Sequence, residues 1–144
     1  MPNWIYNDVT VSGDKDQMNK FFEDCFDKGG CIDFDKIVPS PKTKKDCPKD
    51  YICNPEERHI EALKGREWFD WYNWNCNNWG TKWNACDGYC DDNGHFFFAT
   101  PWCSPAPIFR KLMELYPKLC FEVDVDGEID EPYSITYHGK GTDA

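Results

Sequence analysis

The chain has 144 residues, with 16 Lys and Arg against 26 Asp and Glu, for a formal net charge of −10. That length suits one compact domain, and a composition of 40% hydrophobic and 17% aromatic residues excludes an intrinsically disordered chain. The charge argues against non-specific binding to nucleic acid, which rests on Lys and Arg neutralising phosphates. No run of about 18 apolar residues is present to span a membrane.

Ile5, Val9 and Val11 alternate along WIYNDVTVSG, which predicts a first strand ending at Gly13. Asp14 is placed to cap a helix, with Gln17 three residues on in a capping-box arrangement. Met18, Phe21, Phe22, Cys25 and Phe26 form a helical stripe, and Gly29 and Gly30 are expected to stop it. IDFDKIVP then reads as a short strand-like segment. It enters a loop marked by Pro39, Pro41 and Pro48.

Asn54-Pro55-Glu56-Glu57 predicts a helix start, with Asn as cap and Pro at the first helical position. The stretch WYNWNCNNWGTKWNACDGYC has no clear period and is expected to begin as helix and turn at Asn78-Trp79-Gly80. Asp91-Asp92-Asn93-Gly94 is a hairpin signal joining strands near 83–90 and 95–100. Ser104 or Pro105 opens a last helix, with Ile108, Leu112, Leu115 and Tyr116 on one face and Pro117 after it. Phe121, Val123 and Val125 alternate with Glu122, Asp124 and Asp126, the pattern of a half-buried strand. A turn at Asp126-Gly127 leads to a final strand through Tyr133, Ile135 and Tyr137.

Helices and strands alternate in this order as in an α+β protein. The expectation is a ferredoxin-like split β-α-β sandwich. Its antiparallel sheet would carry two main helices on one face, plus a Trp-rich helical and loop insertion. A single domain over 1–144 is expected, with the insertion at about 40–82. The acidic side of the 121–126 strand would face solvent or a partner. Charge is concentrated there: residues 121–144 hold seven acids and one base, Lys140, and so −6 of the −10.

The N-terminal MPNWIYNDVTVSGD has no basic region followed by an apolar stretch, so no secretory signal is read there. With nine cysteines, an odd number, the expectation is reduced thiols in a cytoplasmic protein.

Four motifs carry a family resemblance: MPNW with TVSG at the N-terminus, FDKIVP at 34–39, NWGTKW at 78–83, and ATPWCSPAPI at 99–108. Together they resemble the YubB-type family of ferredoxin-like proteins encoded by phages, plasmids and some bacterial genomes. The resemblance runs from Met1 to about Gly141. It implies the fold, a mobile-element origin and a cytosolic setting in a host cell, and no activity.

The residues offer few chemical sites. Cys86, Cys90 and His95 have C-x3-C-x4-H spacing, a weak zinc alternative that needs a fourth ligand such as Cys76 or Cys103. Cys47, Cys53 and His59 are a weaker one. Asp124, Asp126, Glu128 and Asp130 could take a divalent cation, although DVDGEIDE lacks the full calcium-loop pattern. No G-x-S-x-G, P-loop or H-E-x-x-H motif occurs, so no catalytic residue and no cofactor is assigned.

Half of the aromatic residues fall between Trp68 and Trp102. Trp71, Tyr72, Trp74, Asn78, Trp79, Lys82 and Trp83 therefore form a candidate binding surface, since Trp and Tyr dominate hot spots. The bland reading is a lid over the sheet. A nucleic-acid groove could draw only on Lys42, Lys44, Lys45, Lys49, Arg66 and Lys82. Glu122, Asp124 and Asp126 form a second candidate surface, complementary to a basic partner.

The leading expectation is a small acidic, non-enzymatic protein of a phage or other mobile element. It would bind and modulate or inhibit a host protein, such as a defence factor. The alternative is a binder of a nucleotide or other small ligand using the Trp-rich segment. No membrane partner is expected, and direct polyanion binding is disfavoured.

Overall fold

The computed structural model describes residues 3–42, 46–53, 68–91 and 93–142. In chain order its elements are β1 (Trp4–Gly13), α1 (Lys15–Asp24), β2 (Ile52–Cys53), β3 (Trp68–Phe69), α2 (Trp71–Asn78), β4 (Cys86–Cys90), β5 (His95–Pro101), α3 (Ala106–Leu115), β6 (Leu119–Gly127) and β7 (Tyr133–His138). The class is α+β. Five strands form one antiparallel sheet in the order β4-β5-β1-β6-β7, and β2 and β3 form a separate two-stranded ribbon. The five-strand order differs from that of the ferredoxin-like sandwich expected from the sequence, because the final strand, β7, lies as an edge outside β6. Among the described residues no helix is long and apolar enough to cross a membrane. The helix expected to start at Asn54 lies outside the described residues.

Alternation in β1 and β6 decides which face of the sheet is covered. Ile5, Val9 and Val11 from β1 and Phe121, Val123 and Val125 from β6 point to one side and are buried. α1 and α3 cover that side: Phe21 meets Phe96 and Phe121 at 5.6 and 5.3 Å, and Phe109 stacks on Tyr137 at 4.9 Å. Ring contacts of this kind, edge-to-face for Phe21–Phe121 and stacked for Phe109–Tyr137, add to the area each ring removes from water.

One residue breaks the apolar pattern of β1. Asn7 is fully buried, and its amide donates to the carbonyls of Ile5 and Phe98, each at 3.4 Å, and to Thr100 Oγ1 at 3.1 Å. Its carbonyl accepts from Ser104 Oγ at 2.7 Å, which ties the entry to α3 to the central strand. A fully bonded buried amide of this kind fixes one register of the strands around it.

Several local expectations are corrected. α1 ends at Asp24 rather than at Gly29, so Cys25 and Phe26 pack from beyond the helix. The Asp27 carboxylate stops it by accepting from Gly29 N at 2.8 Å and Cys31 N at 3.0 Å, a side-chain turn that competes with helix. The capping box is half formed: Asp14 accepts from Gln17 N at 3.0 Å, but Gln17 Oε1 accepts from Lys118 N instead of reaching back. FDKIVP is a 3-10 turn at Phe34–Lys36, not a strand, because Asp33 accepts from Asp35 N at 3.1 Å and Asp35 from Ser40 N at 2.7 Å. In α3, Phe109 takes the buried position and Leu115 is exposed. On β7 only Tyr137 is buried, since an edge strand is covered along part of its length.

Candidate docking face

Among the described residues no helix lies on the second side of the sheet, and the even-numbered residues of β1 and β6 emerge there. Asp8 stands directly opposite Asp124, Thr10 opposite Glu122, and Tyr6 opposite Asp126. Glu122, Asp124 and Asp126 are exposed. Among the described residues no Lys or Arg pairs with any of the three. Asp124 accepts from Ser134 Oγ at 2.6 Å, a neutral partner. Asp8 is held by His95, whose other ring nitrogen lies 3.5 Å from Asp91. Like charges directly opposite on a sheet are destabilising, so the acids sit there at a cost to the fold.

Aromatic rings adjoin the acids. Phe97 stacks on Tyr6 at 6.2 Å and on Tyr89 at 5.4 Å, making a row across β4, β5 and β1. Tyr6 donates to Glu128 Oε1 at 3.2 Å. Its phenol is pushed above the ordinary value by desolvation, then by the Glu128 bond and the charges of Glu128, Asp126 and Asp87. Tyr6, Asp8, Phe97, Asp124, Asp126 and Tyr133 line a shallow groove of about 480 Å³.

The Trp-rich segment divides into two. Trp74 and Trp79 are each 5% exposed and belong to the core. Trp79 Nε1 donates to Val38 O at 2.9 Å, and its ring meets Phe34 and Trp74. Asn78 donates to Trp74 O at 2.9 Å within the same turn. Trp71 and Tyr72 stay exposed on α2, edge to face at 6.0 Å. Trp83 leaves the segment and packs on Trp4 at 6.1 Å, with Lys82 Nζ 4.4 Å over its ring. Because Trp4 alternates with Ile5, Trp83 and Lys82 border the acidic face. Lys42 pairs with Asp35. Lys44, Lys45 and Arg66 lie outside the described residues.

Among the described residues no group of three or more His, Cys, Asp or Glu is placed to hold a metal ion. Cys86, Cys90 and His95 are thus not assembled as ligands, nor are Asp124, Asp126, Glu128 and Asp130. His59 of the other cysteine cluster lies outside the described residues. His95 turns to the open face and to Asp8, whereas Cys90 faces Gly30 on the loop after α1. Burial pushes the thiols of Cys31 and Cys86 up, opposite to the shift that activates a nucleophile.

Of the residues on this face, the sequence pattern singles out Glu122, Asp124 and Asp126, whereas Tyr6, Asp8, Tyr89 and Phe97 are added by the sheet geometry. The signal for Tyr6 and Asp8 was present, since both alternate with Ile5 and Val9. Which strand adjoins β1 is not written in β1 itself. Comparison of the chain with protein-family models, with curated proteins and with solved structures returns no match.

Proposed function

We propose that this chain is a non-enzymatic binding protein whose acidic open sheet face docks a basic surface of a partner protein. The observation that carries this reading is the column of acids on adjacent strands, Asp8 opposite Asp124 with Glu122 and Asp126 beside them. A column that no Lys or Arg pairs with among the described residues lowers the stability of the free chain and is relieved when a cationic surface meets it. Tyr6, Phe97 and Tyr89 supply flat apolar area next to the charges, which suits Arg in particular, since a guanidinium both pairs with carboxylates and stacks on rings.

Two finer readings go with it. With β7 set aside, the strands run β4-β5-β1-β6 with α1 and α3 in the crossovers, an order that supports a ferredoxin-like sandwich with an added edge strand. The motif resemblance to YubB-type proteins supports a mobile-element protein acting on a host protein. A host factor whose basic surface normally holds nucleic acid has the required charge. A nucleotide in the Trp-rich segment is less well supported, because the core uses Trp74 and Trp79.

Calorimetric titration with an oligo-arginine peptide tests the docking face. Glu122→Gln/Asp124→Asn/Asp126→Asn is compared with Asp16→Asn/Glu23→Gln/Asp50→Asn, which removes the same charge from other exposed positions. The face variant is expected to lose about tenfold or more in affinity, roughly 1.4 kcal/mol, while the control changes little. Equal losses in the two variants would assign the binding to net charge alone.

A further inference from the structure

The two edges of the sheet are finished differently. β4 is bulged between Cys86 and Tyr89, Asp87 sits at φ 52°, and Cys31 presses on Gly88 so closely that no Cβ would fit there. Bulges, charges and covering loops are the usual means of blocking edge-to-edge pairing. Among the described residues β7 has none of them. Its sequence YSITYH contains no Lys, Arg, Asp, Glu, Gly or Pro, and it runs in unbroken register with β6 from Tyr133 to His138. Every residue of β7 except Tyr137 is exposed.

Gly139 N donates to Leu119 O at 3.0 Å. Antiparallel bonding alternates along a strand, so Tyr137, Ile135 and Tyr133 turn their main-chain groups to β6. Ser134, Thr136 and His138 turn theirs outward, with no main-chain partner among the described residues. Such a row is satisfied by another strand.

We propose that β7 pairs with β7 of a second copy of this chain, antiparallel about a two-fold axis at Thr136. In that register Thr136 exchanges both main-chain hydrogen bonds with its own mate, and Ser134 does so with His138 of the other copy. Thr faces Thr and Ser faces His, pairs that favour an antiparallel sheet, and no like charges meet. On the helix side Ile135 comes to lie against the other copy's Tyr137, covering a side chain that is 38% exposed in the monomer. Isologous pairing of this kind closes on itself and does not propagate.

The acidic columns set the charge balance. β6 of one copy lies three strand spacings from β6 of the other, about 14 Å, which exceeds the Debye length of about 8 Å at physiological salt. Repulsion between the two faces is screened there and grows as salt is removed. The dimer therefore strengthens with salt, whereas docking of a basic partner on the open face weakens.

Sedimentation velocity over a concentration series tests the pairing. A single strand pair is a small interface, so the wild-type dimer is expected with a dissociation constant of about tens of micromolar. Thr136 is exposed on an edge and stands opposite Glu122 within its own chain, so Thr136→Lys should fold with a near-native melting temperature and Thr136→Glu with one a few degrees lower. Each alone places like charges opposite across the axis and is expected to weaken the dimer about tenfold or more. Mixed in equal amounts they should associate again, as a Lys–Glu heterodimer. A wild-type chain that stays monomeric at about 1 mM overturns the proposal and leaves the edge for a strand of another protein. Dimerisation unaffected by Thr136→Lys, or a mixture that fails to associate, overturns it as well.

Discussion

Neutralising the acidic column should make the chain more stable while it binds a basic surface less well. In Glu122→Gln/Asp124→Asn/Asp126→Asn the side chains keep their size, and the amide that replaces the Asp124 carboxylate retains an oxygen to accept from Ser134. Asp124 faces Asp8 across about 5.5 Å and is flanked along the strand by Glu122 and Asp126 at about 6.6 Å. Two unit charges at those separations in water repel by about 0.7 kcal/mol, and by about 0.4 kcal/mol after screening at physiological salt. The variant removes three such close pairs, one of them already weakened because His95 holds Asp8. The expected gain is about 1 kcal/mol. With a urea slope of about 2 kcal/mol/M, the unfolding midpoint rises by about 0.5 M. The gain should shrink toward zero in about 1 M NaCl, where the Debye length is about 3 Å. A lowered midpoint, or a gain that ignores salt, would refute the like-charge reasoning and return Glu122, Asp124 and Asp126 to the role of a solvated face.

Two further outcomes test the frame that presents this face. Gly80 holds φ +81°, and a Cβ there would lie 2.5 Å from Pro107 Cδ. Gly80→Ala is therefore expected to cost about 2–4 kcal/mol in urea unfolding, from left-handed backbone and overpacking together. Gly29→Ala, where a Cβ would be 3.4 Å from the Asp27 carboxylate, should stay within about 0.5 kcal/mol of wild type. Burial pushes the Cys25 thiol up from its ordinary value of 9.0, and burial together with the Cys25 contact pushes the Tyr116 phenol up. Both groups fold in their neutral forms, so their contribution is full below the ordinary values and is lost as pH rises through the folded ones. Thermal melts should be flat in this respect up to about pH 8.5 and fall above about pH 9. Cys25→Ala should make that fall shallower.

What the sequence displayed follows how local each signal is. β6 was legible because three apolar and three acidic residues alternate within one strand. The β4–β5 hairpin was legible because Asp91 accepts from Asn93 N at 2.8 Å and His95 N at 3.1 Å and Gly94 supplies φ +78°, all within five residues. The end of α1 was misread because Gly29 and Gly30 drew attention from Asp27, whose carboxylate turns the chain earlier. The sequence reads the Trp-rich segment as one surface, although Trp74 on α2 and Trp79 just beyond it are buried while Trp71 and Tyr72 on the same short helix are exposed. In the docking face, Asp8 acquires its meaning from Asp124, and that pairing is made by the sheet order rather than by either strand.

All the segments behind the YubB-type resemblance except TVSG, which lies at the far end of β1 beside Leu119, converge on one seam. Trp4 of MPNW packs on Trp83 of NWGTKW, and Trp79 of the same motif donates to Val38 of FDKIVP and packs on Phe34. Thr81 donates to Pro101 O at 2.9 Å, and Gly80 lies against Pro107, both prolines belonging to ATPWCSPAPI. These residues join the insertion to the end of the central strand and to the start of α3. The acids of the open face lie elsewhere. Asp8 falls between the motif segments MPNW and TVSG, and Glu122, Asp124 and Asp126 belong to none of the motifs. Substitutions on the open face can therefore change which partner is bound without touching the seam. On the docking reading proposed above, chains sharing these motifs are expected to share a fold and to differ in partner through the residues that stand opposite one another on β1 and β6.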